Sequence, residues 1–165
     1  MTRLGGGISP LWVAKVVLSL CLVGWAVAGL VAQPGRTLLA GQALVVAGAT
    51  VSLLHYVILK RRAGALGAPA TLVTTGGLFR WIRHPMYLGD LALGAGCAML
   101  GPHPGGWLLW VLFAAVTTGT ARAEDAMMMR RFGDGFAGWK ARTGLLLPPL
   151  PLRREWPRRN PDRRD

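Results

Sequence analysis

"LWVAKVVLSLCLVGWAVAGLVA", residues 11–32, carries a single charge, Lys15, close to its start. Coiled as a helix, a run of this length crosses a hydrocarbon core of about 30 Å. Residues 37–59 form a second such run with no charge at all. Two shorter apolar blocks follow, residues 86–100, interrupted by Asp90, and residues 107–121. They are joined by "GPHPGG", a turn by composition. The pattern predicts an all-α, polytopic membrane protein with about four transmembrane helices. It forms one domain over residues 1–152, followed by a basic tail, 153–165, whose composition suits disorder. A cleaved leader is the competing reading of the first 28 residues, because "AVA" at 26–28 mimics a processing site. Against it, the apolar run continues through Leu30 and Val31 to the full length of a span.

The charge balance agrees. Of 165 residues, 52% are hydrophobic and 16% charged, yet the formal net charge is +12. A soluble nucleic-acid binder could be that basic, but its apolar residues would not come in long blocks. The tail holds no recognisable nucleic-acid module either, so nucleic acid is not expected as a partner. Lys60, Arg61, Arg62, Arg80 and Arg83 lie between the second and third blocks, eleven basic residues beginning with Arg122 follow the fourth, and the two remaining connections offer only Arg36. The positive-inside rule then puts both termini and the 60–85 loop in the cytoplasm, against anionic lipid headgroups. Trp107 and Trp110 fall where an outer aromatic belt belongs. Cys21 and Cys97 both fall inside spans, which leaves no disulfide framework and no metal-ligand spacing. Gly24 with Ala28, and Ala43 with Ala47, are small residues four apart, as close helix packing in lipid prefers.

Polar chemistry collects in two patches. The first is "TLVTTGGLFRWIRHPMYLGD", residues 71–90. Gly76 and Gly77 permit a sharp turn or a close backbone approach. Pro85 disfavours helix at His84, so a helix starts at Pro85 or just after, and its free N–H groups favour a polar or anionic ligand group. Asp90, about one turn inside the third block, needs a partner such as Arg83 or a wet cavity. The second patch is "ARAEDAMMMRRFGDGFAGWKAR", residues 121–142, where the fourth helix runs out of the membrane. Asp125 has Arg122 three residues before it and reads as a surface pair. Glu124 has no basic neighbour at helical spacing and is free to bind something else. Met127 to Met129 suit adaptable core filling or a pocket wall. His55, near the end of the second span, reads as an interhelical hydrogen-bonder, and His103 as a turn residue.

Together, in this order, the two patches resemble the isoprenylcysteine carboxyl methyltransferase and phospholipid methyltransferase family. The first motif reads as Leu72, Val73, Thr74, Gly77, Arg80, Arg83, His84, Pro85, Tyr87 and Gly89; the second as Glu124, Asp125, Phe132, Gly133, Phe136, Trp139 and Pro148. The likeness covers about residues 71–148. It implies an integral-membrane methyltransferase using S-adenosylmethionine, with a cytoplasmic pocket built from the 60–90 loop and the C-terminal helix. Leu72, Val73, Thr74, Phe79, His84, Pro85, Tyr87 and Glu124 would enclose the cofactor. Arg83, His84 and Asp90 are the candidate catalytic residues, and no metal is implied. The resemblance further implies a lipophilic or lipidated substrate entering sideways from the membrane. Phe79 stands where the family often has tyrosine, and Thr120 where the eukaryotic isoprenylcysteine enzymes hold a substrate-binding arginine.

The acceptor decides what else is needed. A carboxylate is already ionised at pH 7 and requires no general base, whereas a lipid amine requires one, with Asp90, Asp125 or His84 as candidates. The absence of an obvious base dyad favours a carboxylate or thiolate. A membrane reductase with a nicotinamide cofactor and a non-enzymatic scaffold with a basic tail are the two competing readings.

Overall fold

A computed structural model describes residues 3–4, 7–33, 38–63 and 70–149. The expected 153–165 tail and the end of the 1–152 domain lie outside them. Among the described residues four α-helices make the fold: α1 Pro10–Ala32, α2 Leu39–Ala63, α3 Pro85–Leu100 and α4 Gly106–Arg142. A two-residue antiparallel pairing of Arg3–Leu4 with Gly7–Ile8 precedes them. Proline occupies the first turn of both α1 and α3, where its missing N–H costs nothing.

α1 and α2 are long and apolar enough to cross a membrane, and little of either is buried inside the protein. α3 is a shorter apolar helix. Val17, Leu20, Val27 and Val31 of α1, and Val46, Leu53 and Leu54 of α2, point away from the bundle. In water such a surface is an aggregation liability; in lipid it costs nothing. The apolar block at 107–121 is only the first part of α4, which continues through the second polar patch to Arg142. α2 likewise runs past the expected end of its span, carrying Lys60, Arg61 and Arg62 in its last turn.

Among the described residues the most extensive helix pairing is α2 against α3. Gly41, Val45, Gly48, Ser52 and His55 repeat at alternating spacings of four and three, which keeps one stripe of α2 facing its neighbour. From α3, Gly89 and Gly96 meet that stripe in antiparallel order. A Cβ on Gly89 would sit 2.5 Å from Ser52 Oγ and 2.7 Å from the Gly48 carbonyl oxygen. One on Gly96 would sit 2.6 Å from the Gly41 carbonyl oxygen. The small-residue contacts therefore lie elsewhere than expected from spacing. Gly24 and Ala28, and Ala43 and Ala47, are all exposed, while Gly29, Gly41 and Gly48 carry the close approaches.

Leu22 and Ala26 of α1, Cys97, Ala98 and Leu100 of α3, and Phe113 of α4 form the core of the bundle. A second apolar cluster lies toward the other end of the molecule. There Ala63, Val73, Phe79, Phe136 and Trp139 pack together, tying the loop after α2 to the end of α4. That cluster holds the site.

Candidate functional site

The first polar patch is folded by contacts on both of its sides. From α2, the His55 ring accepts the Leu78 N–H at Nε2 (2.9 Å), so its Nδ1 carries the proton donated to the Val51 carbonyl oxygen at 2.8 Å. His55 thus bonds within its own helix and to the loop. Gly77, at φ 55°, lies so close that a Cβ there would come within 2.5 Å of His55 Nε2. From the far end, residues 143–145 run alongside the loop. Ile82 bridges Gly144, while the N–H groups of Arg83 and His84 donate to the Gly144 and Leu145 carbonyls. Trp139 Nε1 donates to the Phe79 carbonyl at 3.1 Å.

Arg83 is committed to this architecture. Its Nε donates to Asp125 at 3.0 Å, and its Nη1 to the Lys140 and Thr143 carbonyl oxygens. Asp125 is therefore not the surface partner of Arg122 that i−3 spacing suggested. It is 5% exposed and also meets His84 Nε2 at 2.9 Å. The reason is rotational: with Glu124 on the cleft, the next residue turns toward the loop, where Arg83 waits. Burial alone would push the Asp125 carboxyl up. The His84 ring and the Arg83 guanidinium outweigh that and hold it below its ordinary value.

His84 stands between two carboxylates, because its Nδ1 is 3.5 Å from Glu124 Oε2. Glu124 also accepts the Tyr87 hydroxyl at 2.7 Å. The Tyr87 ring is engaged as well, with the Lys15 ammonium 3.9 Å from its centroid and the His84 ring parallel at 5.4 Å. Tyr87 accordingly reaches the site through its hydroxyl rather than as an open stacking face.

These groups converge on a cleft of about 330 Å³, within the range of small-molecule sites. Val73, Phe79, Arg83, His84, Pro85, Tyr87 and Glu124, all expected from sequence, are on its wall. Met127, Met128, Phe136 and Trp139 add an apolar side from α4, and α1 contributes the Trp12 ring and the Lys15 ammonium. Leu72 packs against the apolar cluster beneath the loop, and Thr74 is half-buried; neither lines the cleft. Asp90 is held one helical turn beyond Tyr87, between Lys15 Nζ at 2.6 Å and Ser52 Oγ at 2.7 Å. Its partner is thus Lys15 and not Arg83. Thr120 is buried and donates to the Val116 carbonyl on its own helix.

Sequence reasoning held Asp125 only as a candidate base or a surface partner of Arg122, not as the partner of Arg83 and His84, and did not place Trp12 or Lys15 at the site. For Lys15 a signal existed. It and Asp90 are the charges interrupting the apolar blocks, and opposite charges at membrane depth seek each other.

Chemically, the cleft offers a carboxylate, 23% exposed, at the foot of aromatic and thioether walls. That combination suits a small organic group carrying positive charge and hydrogen-bond donors. Among the described residues no group of His, Cys, Asp and Glu could hold a metal ion.

A family model described as phospholipid methyltransferase matches residues 36–135. The matched stretch contains α2, α3, the loop between them and α4 as far as Gly135; it leaves out α1. Neither the curated proteins nor the solved structures yield a match to the chain.

Proposed function

Since the chain belongs to the phospholipid methyltransferase family, we propose that it is an integral-membrane enzyme transferring a methyl group from S-adenosylmethionine to a lipophilic acceptor. The observation that carries the reading is the convergence of Glu124, His84 and Tyr87 in one apolar-walled cleft. The bound cofactor supplies a methyl group on a positively charged sulfur. The donor set fits it. Glu124 can accept from ribose hydroxyls or an ammonium, and the faces of Phe79 and Phe136 suit an adenine or a sulfonium.

The chain's own residues orient and exclude. Tyr87 and His84 fix the Glu124 carboxylate from two sides, so its acceptor oxygens are preset before a ligand arrives. Arg83 is a positioning residue: it joins α4 to the loop and stays bound to Asp125. Phe79, Phe136, Met127 and Met128 keep water from the reacting atoms. Of the three candidate bases, the two aspartates are engaged. Asp90 is taken by Lys15 and Ser52, and Asp125 by Arg83 and His84. With both aspartates engaged, the site suits an acceptor already ionised at pH 7, such as a carboxylate or a thiolate of depressed pKa.

The same reading has four membrane crossings with both termini cytoplasmic. Lys60, Arg61, Arg62, Arg80 and Arg122 gather at the end of the bundle that holds the cleft, while Trp107 and Trp110 stand at the other. An acceptor could then slide in from the cytoplasmic leaflet, and the basic end would rest on anionic headgroups.

Calorimetric titration of S-adenosylhomocysteine into the protein in nanodiscs tests the proposal, beside Glu124→Ala. Saturable binding weakened at least about tenfold by the substitution, roughly 1.4 kcal/mol, is expected. Absence of binding to well-folded wild-type protein would defeat the proposal, and a parallel NADPH titration would then decide for or against a reductase.

A further inference from the structure

Lys15 sits on α1, outside the residues matched to the family, yet it is on the cleft wall. Its side chain is 13% exposed, and its counter-ion Asp90 is not on that wall. Asp90 is pinned from α2 by Ser52, so it holds Lys15 Nζ from behind, while the Tyr87 ring lies against the ammonium 3.9 Å away. An ammonium has three N–H donors, and Asp90 takes one. Of the other basic groups on the wall, Arg83 is committed through Nε and Nη1, and His84 is held between Glu124 and Asp125. Arg83 keeps its Nη2 unused but is only 8% exposed, so among the described residues Lys15 is the more open cation on the wall with an N–H donor to spare. It is one turn along α1 from Trp12, which supplies an apolar surface to the same side of the cleft.

We infer that Lys15 is the specificity residue for the acceptor, receiving an anionic head group, carboxylate or phosphate, whose hydrocarbon part lies along Trp12. The inference rests on the methyl-transfer reading and deepens it. Recognition by Lys15 sets an anionic acceptor against an amine by direct charge repulsion of the amine, the kind of discrimination that contact area alone does not give. Asp90 acts here as a positioning residue, fixing the ammonium so that little side-chain freedom is lost on binding.

The test uses the full chain in phosphatidylcholine nanodiscs with S-adenosylhomocysteine present. Three photoreactive amphiphiles of one chain length, ending in a carboxylate, a phosphate or an amine, are crosslinked and their adducts mapped by mass spectrometry. The anionic probes are expected to label the peptides carrying Trp12, Met127 and Met128 at least about tenfold more than the amine does. Whichever anionic probe dominates identifies the head group. Lys15→Met should bring the ratio close to one, and Lys15→Arg should retain it. Because Lys15→Met strands Asp90, the double variant Lys15→Met/Asp90→Asn is measured as well. It removes both charges and should lose the preference too. Equal or stronger labelling by the amine in wild-type protein, or an anion preference that survives in both Lys15→Met variants, overturns the assignment while leaving cofactor binding intact. Loss of S-adenosylhomocysteine binding in the wild type would instead remove the methyl-transfer reading beneath it.

Discussion

The Tyr87 hydroxyl donates to Glu124 at 2.7 Å, joining the first turn of α3 to the point where α4 passes the cleft. A hydrogen bond to a charged group contributes roughly 1.5–3 kcal/mol, about twice a neutral one. Tyr87→Phe keeps the ring against Lys15 and His84 and removes only this bond. It should weaken S-adenosylhomocysteine binding by about tenfold, roughly 1.4 kcal/mol, in the calorimeter, and lower the melting temperature by no more than about ten degrees. A large loss of stability with unchanged affinity would assign the bond to folding rather than to the site.

Arg83 and Asp125 predict the opposite pattern. Both side chains are less than a tenth exposed, and removing one partner leaves a buried charge uncompensated, at a cost of about 3–5 kcal/mol. Arg83→Ala should lower the thermal midpoint in detergent sharply, because the Lys140 and Thr143 carbonyl oxygens lose their donor along with Asp125. Arg83→Met/Asp125→Asn should recover much of that loss. Failure of the double variant to recover would mean that the carbonyl contacts, not the ion pair, dominate.

Acid should act through the same carboxylate. Asp125 is held below its ordinary value in the folded protein, so on acidification the unfolded chain binds the proton first. The stability this contributes is fully present above the unfolded value of about 4 and is lost as pH falls through the folded one. Unfolding midpoints measured from neutral pH down to about pH 3 should fall more steeply for wild-type protein than for Asp125→Asn. Parallel curves would show that the carboxylate is not linked to folding.

Much of this was legible in the sequence, and for physical reasons. A helix able to cross a membrane has to be apolar along its length, so α1 and α2 declare themselves by composition. Pro85 marks the start of α3 because proline forbids little else there. Glu124 stood out because no cation lies at helical spacing from it. The partner of Asp125 was not legible, because i−3 spacing offered Arg122 while the real partner came from a loop 42 residues away. The packing stripe of α2 was missed for a related reason. Small residues four apart occur on any face of an apolar helix, and only the neighbour decides which face is used. Lys15 and Asp90 could have been joined by charge alone, but their meeting depends on α1 lying against α3, which no local pattern encodes.

Gly133 is where α4 changes direction, with φ 50° and ψ −125° inside an otherwise continuous helix. That conformation is open to glycine and strained for any residue with a Cβ, by about 1–3 kcal/mol. Nothing lies within 4 Å of a Cβ built there, so crowding plays no part. The bend carries Phe136 and Trp139 onto the cleft and lets Trp139 reach the Phe79 carbonyl. Gly133→Ala should therefore lower stability by that order and also weaken S-adenosylhomocysteine binding, since a straightened helix withdraws one wall. Gly135 and Gly138 are matched controls, with equally open surroundings and no positive φ. Alanine at either should stabilise α4 by about 0.5–1 kcal/mol and leave binding unchanged. If Gly133→Ala behaves like these two, the bend is incidental to the cleft. If it alone loses binding, the glycine is what folds the end of α4 over the site.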